Sequence, residues 1–266
     1  MVENQKLSET RPIIAIQVYS VHQQIESNFS GAIRHLADIG FENVELYWHE
    51  GQPDAAATER ILKQAAVRVV SLHVNLAMLR SGLGEVIRFC SILNIKNVIL
   101  PWIAPSERAT IADWQRLAAE CNEIGRKLKA AEIRFGYHSH DFEFLAVESQ
   151  MPMKIMLDAT NPEWVSWQPD TFWIKFAGQD VLKWLAQYGG RIGSVHLKDF
   201  KSRRMVEVGT GEMPWPAIFA ALSRTPAQFW ILEQEEFLHP EPWDELSGGL
   251  AFIKSAITRT GSHELT

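Results

Sequence analysis

The stretch IRFGYHSHDFEF, residues 133–144, joins two kinds of sequence that ordinarily stay apart. Its first half is short and apolar, the composition of a buried β-strand. Its second half crowds His138, His140, Asp141 and Glu143 into a few positions where that strand runs out. Charged side chains are rarely left fully buried unless they are paired or bind metal, so apolar packing gives no reason for them. A barrel of parallel strands gives one, because its walls are apolar and its chemistry gathers at the C-terminal strand ends.

The same pattern extends in both directions. Further apolar runs occur at IIAIQV (13–18), NVELY (43–47), RVVSLHV (68–74), KNVILPW (96–102), VSWQPD (165–170), IGSVHL (192–197) and FWILEQ (229–234). Between them lie helical patterns such as NFSGAIRHLADIG, with Ile33, Leu36 and Ala37 on one face and Gly40 as a stop. The longest, TIADWQRLAAECNEIGRKLKAAE, opens with Thr110 and Asp113 in capping-box spacing. Eight strand–helix units fit a parallel sheet with right-handed crossovers, and eight is the number that closes a (β/α)₈ barrel. The rival, a doubly wound open sheet, would carry a glycine-rich G-x-G-x-x-G turn after its first strand, and none is present. With no linker or shift in composition, residues 1–266 read as a single (β/α)₈ TIM-barrel domain.

Bulk properties narrow the function. A net charge of -6 offers no basic field for nucleic acid or an anionic membrane. No run of about 18 apolar residues appears, the length a membrane-crossing helix requires. The N-terminal MVENQKLSETRP is polar, unlike a secretory signal. Two cysteines, Cys90 and Cys121, sit in helical sequence, which excludes a disulfide framework and points to a reducing cytoplasm.

The strand ends carry an unusual polar set: Glu45; His73; His138, His140 and Glu143; Asp170; His196, Lys198 and Asp199; Glu233, Glu235 and Glu236. Strand starts such as Ile13, Val69 and Ile133 carry nothing comparable. Singly, each has a plain explanation. A lone histidine is more often hydrogen-bonded structure than a ligand; Glu235 and Glu236 read as the start of a solvated loop; Lys198 and Asp199 could cap a turn or pair together. Jointly, carboxylates and an imidazole from strands five to eight would converge on one side of a barrel mouth, as a divalent ion requires.

On these residues the chain resembles the xylose isomerase-like TIM-barrel family, in its bacterial sugar phosphate isomerase/epimerase branch. The resemblance runs through IQVYS (16–20), IGFENVEL (39–46), YHSHDFEF (137–144), DTFWIKFAG (170–178), GRIGSVHLKDF (190–200), VGTGEMPW (208–215) and ILEQEEF (231–237). It implies one divalent metal ion held by Glu143, Asp170, His196 and Glu233, with His138 and His140 as alternatives to Glu143. Asp170 fits the family pattern better than Asp158. Such an oxygen-rich set suits Mn²⁺ or Mg²⁺, with Co²⁺ or Zn²⁺ as further options.

The resemblance further implies a carbohydrate substrate, with Glu143 and Glu233 as acid and base in isomerisation or epimerisation through an enediolate. Dehydration of a sugar or inosose, or lysis of a keto-glycoside, would use the same site. Lys198 would meet the substrate carbonyl or a developing oxyanion. His73, His138, His140, Glu45 and Trp173 would bind substrate, and Trp48, Trp102 and Trp215 could add an apolar wall. A phosphate seat is open at KSRR (201–204) and GTG (209–211). A barrel that only binds sugar is the rival outside enzymes, a homodimer is left open, and an endonuclease IV-like nuclease is disfavoured by charge.

Overall fold

The computed structural model describes residues 11–260, so the polar N-terminal stretch lies largely outside the described residues. Each of the eight apolar runs forms a strand. They are β1 (Ile13–Gln17), β2 (Asn43–Tyr47), β3 (Arg68–His73), β4 (Asn97–Leu100), β5 (Arg134–His138), β6 (Val165–Gln168), β7 (Ser194–Leu197) and, after a hairpin, β10 (Phe229–Leu232). All neighbours pair in parallel, in the order β6-β5-β4-β3-β2-β1-β10-β7. Single bridges Trp167↔Ile192 and Asp170↔His196 join β6 to β7 and close the ring. The expected (β/α)₈ barrel is the architecture found.

Local chemistry sets the helix ends. Thr110 and Asp113 exchange side-chain and backbone bonds in a capping box that opens helix Ile111–Ala130. The helix buries Trp114, Leu117, Cys121 and Ile124. Asn28 caps helix Phe29–Asp38 through the Gly31 N–H, and Gly40, at φ +101°, turns the chain toward β2. The main apolar core lies where strands meet such helices. No described helix is long and apolar enough to cross a membrane. Cys90 and Cys121 are buried, unpaired thiols.

A second apolar cluster, Ala15, Val70 and Ile231, is separate from the main core. Side chains alternate along a strand, so Gln17 follows Ala15 and Glu233 follows Ile231 on the same face. Polar groups thus replace aliphatic ones toward the C-terminal strand ends.

KSRR does not form a free basic loop. It is the turn of an antiparallel hairpin, β8 (Asp199–Lys201) and β9 (Arg204–Val206). Ser202 and Arg203 both adopt left-handed φ, at 50° and 63°, as a tight I′-type hairpin requires. The Arg203 guanidinium lies 4.3 Å from the centroid of the Phe176 ring, and Arg204 pairs with Glu236 at 3.2 Å.

Candidate active site

Four side chains meet at the barrel mouth. His138 closes β5, His196 lies in β7, Asp170 follows β6 by two residues, and Glu233 directly follows β10. Each brings one donor atom to within 4.8 Å of the others, and all four are buried. Asp170 owes its orientation to helix Thr171–Phe176, which it caps. Its Oδ1 accepts from the Phe172 and Trp173 N–H groups at 2.9 and 3.2 Å, while buried Oδ2 accepts no well-aligned hydrogen bond and has the Lys198 ammonium 3.2 Å away as its ion-pair partner. That oxygen also lies 3.9 Å from His138 Nε2 and 4.0 Å from His196 Nδ1.

Glu143 does not join them. It lies in a one-turn 3₁₀ segment past β5, where one oxygen accepts from the Tyr137 hydroxyl at 2.5 Å and the other from the His140 N–H at 2.8 Å. Tyr137 is on the opposite strand face from His138, so this bond draws Glu143 away from the cluster. His138 takes the position that the family pattern suggested for Glu143. The set is therefore two carboxylates and two imidazoles, richer in nitrogen than expected. Two imidazoles beside two carboxylates, one of whose oxygens is left free by its helix cap, suit a divalent transition metal better than Mg²⁺.

Glu45 also departs from expectation. It is fully buried beneath the cluster and does not line the cavity. Its carboxylate accepts from Gln17 Nε2 (2.9 Å), Ser71 Oγ (2.5 Å), Gln168 Nε2 (2.9 Å) and His196 Nε2 (2.6 Å), and His73 Nε2 stands 2.9 Å away. Gln168 also donates to Ser194 Oγ at 2.8 Å. A barrel interior is usually filled by Val, Ile and Leu. Here a hydrogen-bonded polar tier fixes His196, so that Nε2 faces Glu45 and Nδ1 faces Glu233 at 2.7 Å. An outer carboxylate gripping a ligand histidine is the arrangement that orients imidazoles in metal sites.

Burial and neighbours then set the charges. Burial opposes a charged His196, but Glu233 and Glu45 on either side override it and raise the imidazole to about 10. Burial alone would lift Glu45; His73 and His196 outweigh it and hold the carboxyl well below its ordinary range. Burial raises Asp170 to about 6, against the opposing pull of Lys198 and His196. It lifts Glu143 to about 8, against the Tyr137 hydroxyl. Burial, reinforced by Lys198, lowers His140 to about 3 and leaves it neutral. Burial disfavours the Lys198 ammonium as well, yet Asp170, Glu233 and Glu235 hold it well above its ordinary value.

Above the cluster opens a cavity of about 360 Å³. Tyr19, Tyr47, Trp48 and Trp102 line it, together with His73, His138, His140, Glu233 and Glu235. Trp102 stands 47% exposed at the rim. Trp173 lies close by, its ring centroid 5.5 Å from that of His140 and 5.6 Å from Lys198 Nζ.

Trp215 is not part of this wall. It is buried and donates Nε1–H to Asp199 at 2.7 Å. Asp199 also accepts from the N–H groups of Phe200, Gly209, Gly211 and Met213. The Gly209 and Gly211 amides are therefore taken by Asp199 and the Thr210 amide by the Glu207 carbonyl, and the anion seat expected there does not form. Asp158 accepts from Tyr188 and has no part in the cluster. Glu235 is no solvated bystander, since its carboxylate holds Lys198 Nζ at 2.7 Å.

Comparison with known proteins places this geometry. Residues 33–256 match the xylose isomerase-like TIM barrel. The chain belongs to that family. An inosose dehydratase of Mesomycoplasma hyopneumoniae (strain 7448) is 26% identical over 247 residues, covering 79% of this chain and 81% of the relative. A sugar phosphate isomerase/epimerase from Parabacteroides distasonis superposes with a TM-score of 0.80 at 18% identity, covering 96% of this chain and 99% of its own. An L-ribulose 3-epimerase superposes with a TM-score of 0.74 at 18% identity, over 95% of this chain and 98% of its own. Within this xylose isomerase-like barrel, Gln17, Ser71, Gln168 and Ser194 are site residues that sequence reasoning overlooked, and Glu235 is one that it read as the start of a solvated loop. The signal for the first four is a polar residue breaking an apolar run: at the strand end for Gln17 and Gln168, mid-strand for Ser71 and at the strand start for Ser194.

Proposed function

We propose that the protein is a divalent-metal-dependent sugar isomerase or epimerase, moving a proton at the carbon beside a sugar carbonyl. The observation that carries this is the meeting of His138, Asp170, His196 and Glu233 donor atoms at the floor of a cavity with aromatic walls. A bound Mn²⁺, Co²⁺ or Zn²⁺ would polarise that carbonyl and lower the cost of negative charge on its oxygen.

The chain supplies the rest. Glu233, held below the usual carboxylate range because Lys198 and His196 outweigh its burial, is the base at the cavity floor. The Lys198 ammonium, 2.7 Å from Glu233, offers positive charge beside the developing oxyanion. Glu143 faces away, so the second proton-handling role passes to His140, neutral and on the cavity wall. Tyr19, Tyr47, Trp48 and Trp102 present ring faces and edges to the apolar side of a sugar. Return of the proton to the opposite face of its carbon gives epimerisation, and return to the adjacent carbon gives isomerisation.

Dehydration is the second reading, favoured by the sequence similarity to an inosose dehydratase. It needs the same abstraction, followed by loss of a β-hydroxyl. The two unpaired cysteine thiols agree with a cytoplasmic setting.

Incubation with a panel of ketoses and inososes in D₂O, with Mn²⁺ added, tests both. Deuterium at the carbon beside the carbonyl is expected, and an enone product marks dehydration. A panel that yields neither refutes the proposal.

A further inference from the structure

Lys198 is a cation built into a site that, on the reading above, receives another. Its side chain is 1% exposed, and Nζ lies 3.2 Å from Asp170 Oδ2, 2.7 Å from Glu233 Oε2 and 2.7 Å from Glu235 Oε1. The same two oxygens face the imidazoles of the cluster: Asp170 Oδ2 lies 3.9 Å from His138 Nε2 and 4.0 Å from His196 Nδ1, and Glu233 Oε2 lies 2.7 Å from His196 Nδ1. The other Asp170 oxygen is committed to its helix cap. The ammonium and a divalent ion therefore call on the same two atoms, and like charges cannot share them at close range without mutual repulsion.

Only the third partner differs. Glu235 belongs to the cavity wall and is one-third exposed, so it lies on the open side of Lys198. The backbone at Lys198 is pinned, its N–H donating to Thr171 Oγ1 at 2.9 Å and its carbonyl accepting from the same hydroxyl at 2.7 Å. Any exchange must come from the side chain alone. The Trp173 ring, 5.6 Å from Nζ, offers that side chain a neighbouring aromatic face.

We infer that Lys198 competes with the divalent ion for Asp170 and Glu233, and that Glu235 is a positioning residue that receives the displaced ammonium at the cavity wall. Metal loading and presentation of positive charge to the substrate are then one event. Without metal the ammonium keeps the buried carboxylates compensated; with metal it turns to Glu235 and the sugar. The inference rests on the metal reading, and its test separates the two.

The experiment is calorimetric titration of chelator-stripped, full-length protein with Mn²⁺, for wild type, Lys198→Met, Lys198→Gln, Glu235→Gln and the Lys198→Gln/Glu235→Gln double variant. Removing the competitor should tighten Mn²⁺ binding about tenfold or more, whereas loss of a supporting residue around a metal site weakens it by a similar factor. Glu235→Gln should weaken binding several-fold with Lys198 present and by a clearly smaller factor without it, a coupling that independent effects would not produce. Far-UV circular dichroism checks folding, and the glutamine variant carries the test where methionine does not fold. Wild-type binding with unchanged or weaker affinity in the Lys198 variants overturns the competition and leaves the metal site standing. No Mn²⁺ binding by any variant overturns the metal reading and this inference with it.

Discussion

Replacing Glu45 by glutamine tests whether the polar tier under the cluster holds the site together. Five groups face this fully buried carboxylate: Gln17, His73 and His196 at one oxygen, Ser71 and Gln168 at the other. Glutamine keeps the shape but turns one oxygen into an NH₂, so at least one donor, the Gln168 amide in the milder orientation where Ser71 can turn to accept, is left facing a donor. A hydrogen bond to a charged acceptor contributes about 1.5–3 kcal/mol, which is the least that the lost bonding costs. Breaking one side of a buried ion pair independently costs about 3–5 kcal/mol. In a chain of this size each kcal/mol moves the melting temperature by about 2 °C, so a fall of at least about 6 °C is expected. Urea unfolding of the metal-free variant reads the loss directly, with an unchanged m-value as the check that the unfolding transition is comparable. Mn²⁺ affinity should fall about 10- to 100-fold, because His196 loses the partner that orients it. A variant within about 1 kcal/mol of wild type, with unaltered Mn²⁺ affinity, would falsify the tier's role.

Two further outcomes follow from other parts of the structure. Glu143 is raised in the fold from 4.5 to about 8, so the folded state holds the extra proton between those values. Its contribution is fully present below pH 4.5 and is lost as pH rises through 8, with a slope of at most about 1.4 kcal/mol per pH unit. Urea midpoints from pH 5 to 8 should show that slope reduced in Glu143→Gln; parallel profiles refute it. Gly211→Ala would drive a Cβ into the Asp199 carboxylate. It should destabilise the protein by about 1–3 kcal/mol in the same assay, and a neutral result contradicts the packing of that turn.

The barrel was legible because each strand is a short apolar run and most of these runs end in ionisable residues. Asp170, His196 and Glu233 were legible for a related reason: within two residues of a strand end, position fixes direction. Glu143 lies five residues past β5, and only the turn geometry and the Tyr137 hydroxyl decide where it faces. Glu45 was seen, but whether a strand-end carboxylate faces a cavity or supports a neighbour depends on partners from β1, β3, β6 and β7, which no local pattern reports. Glu235 was readable in principle, since it sits two residues beyond Glu233 on the same face of an extended segment. The GTG amides looked available because nothing local to them reveals that Asp199, ten residues earlier, accepts two of their protons.

Asp199 bears on how this barrel can be altered. Four amides and an indole from residues 200–215 converge on its carboxylate, so the segment following β7 is tied to its own strand and is not free to mould itself around a ligand. Adaptation to a new sugar must then come from the facing side, where Tyr19, Trp48 and Trp102 project from chain that carries no comparable anchor among the bonds they make. A mutant library confined to those three positions samples selectivity while sparing the anchored half.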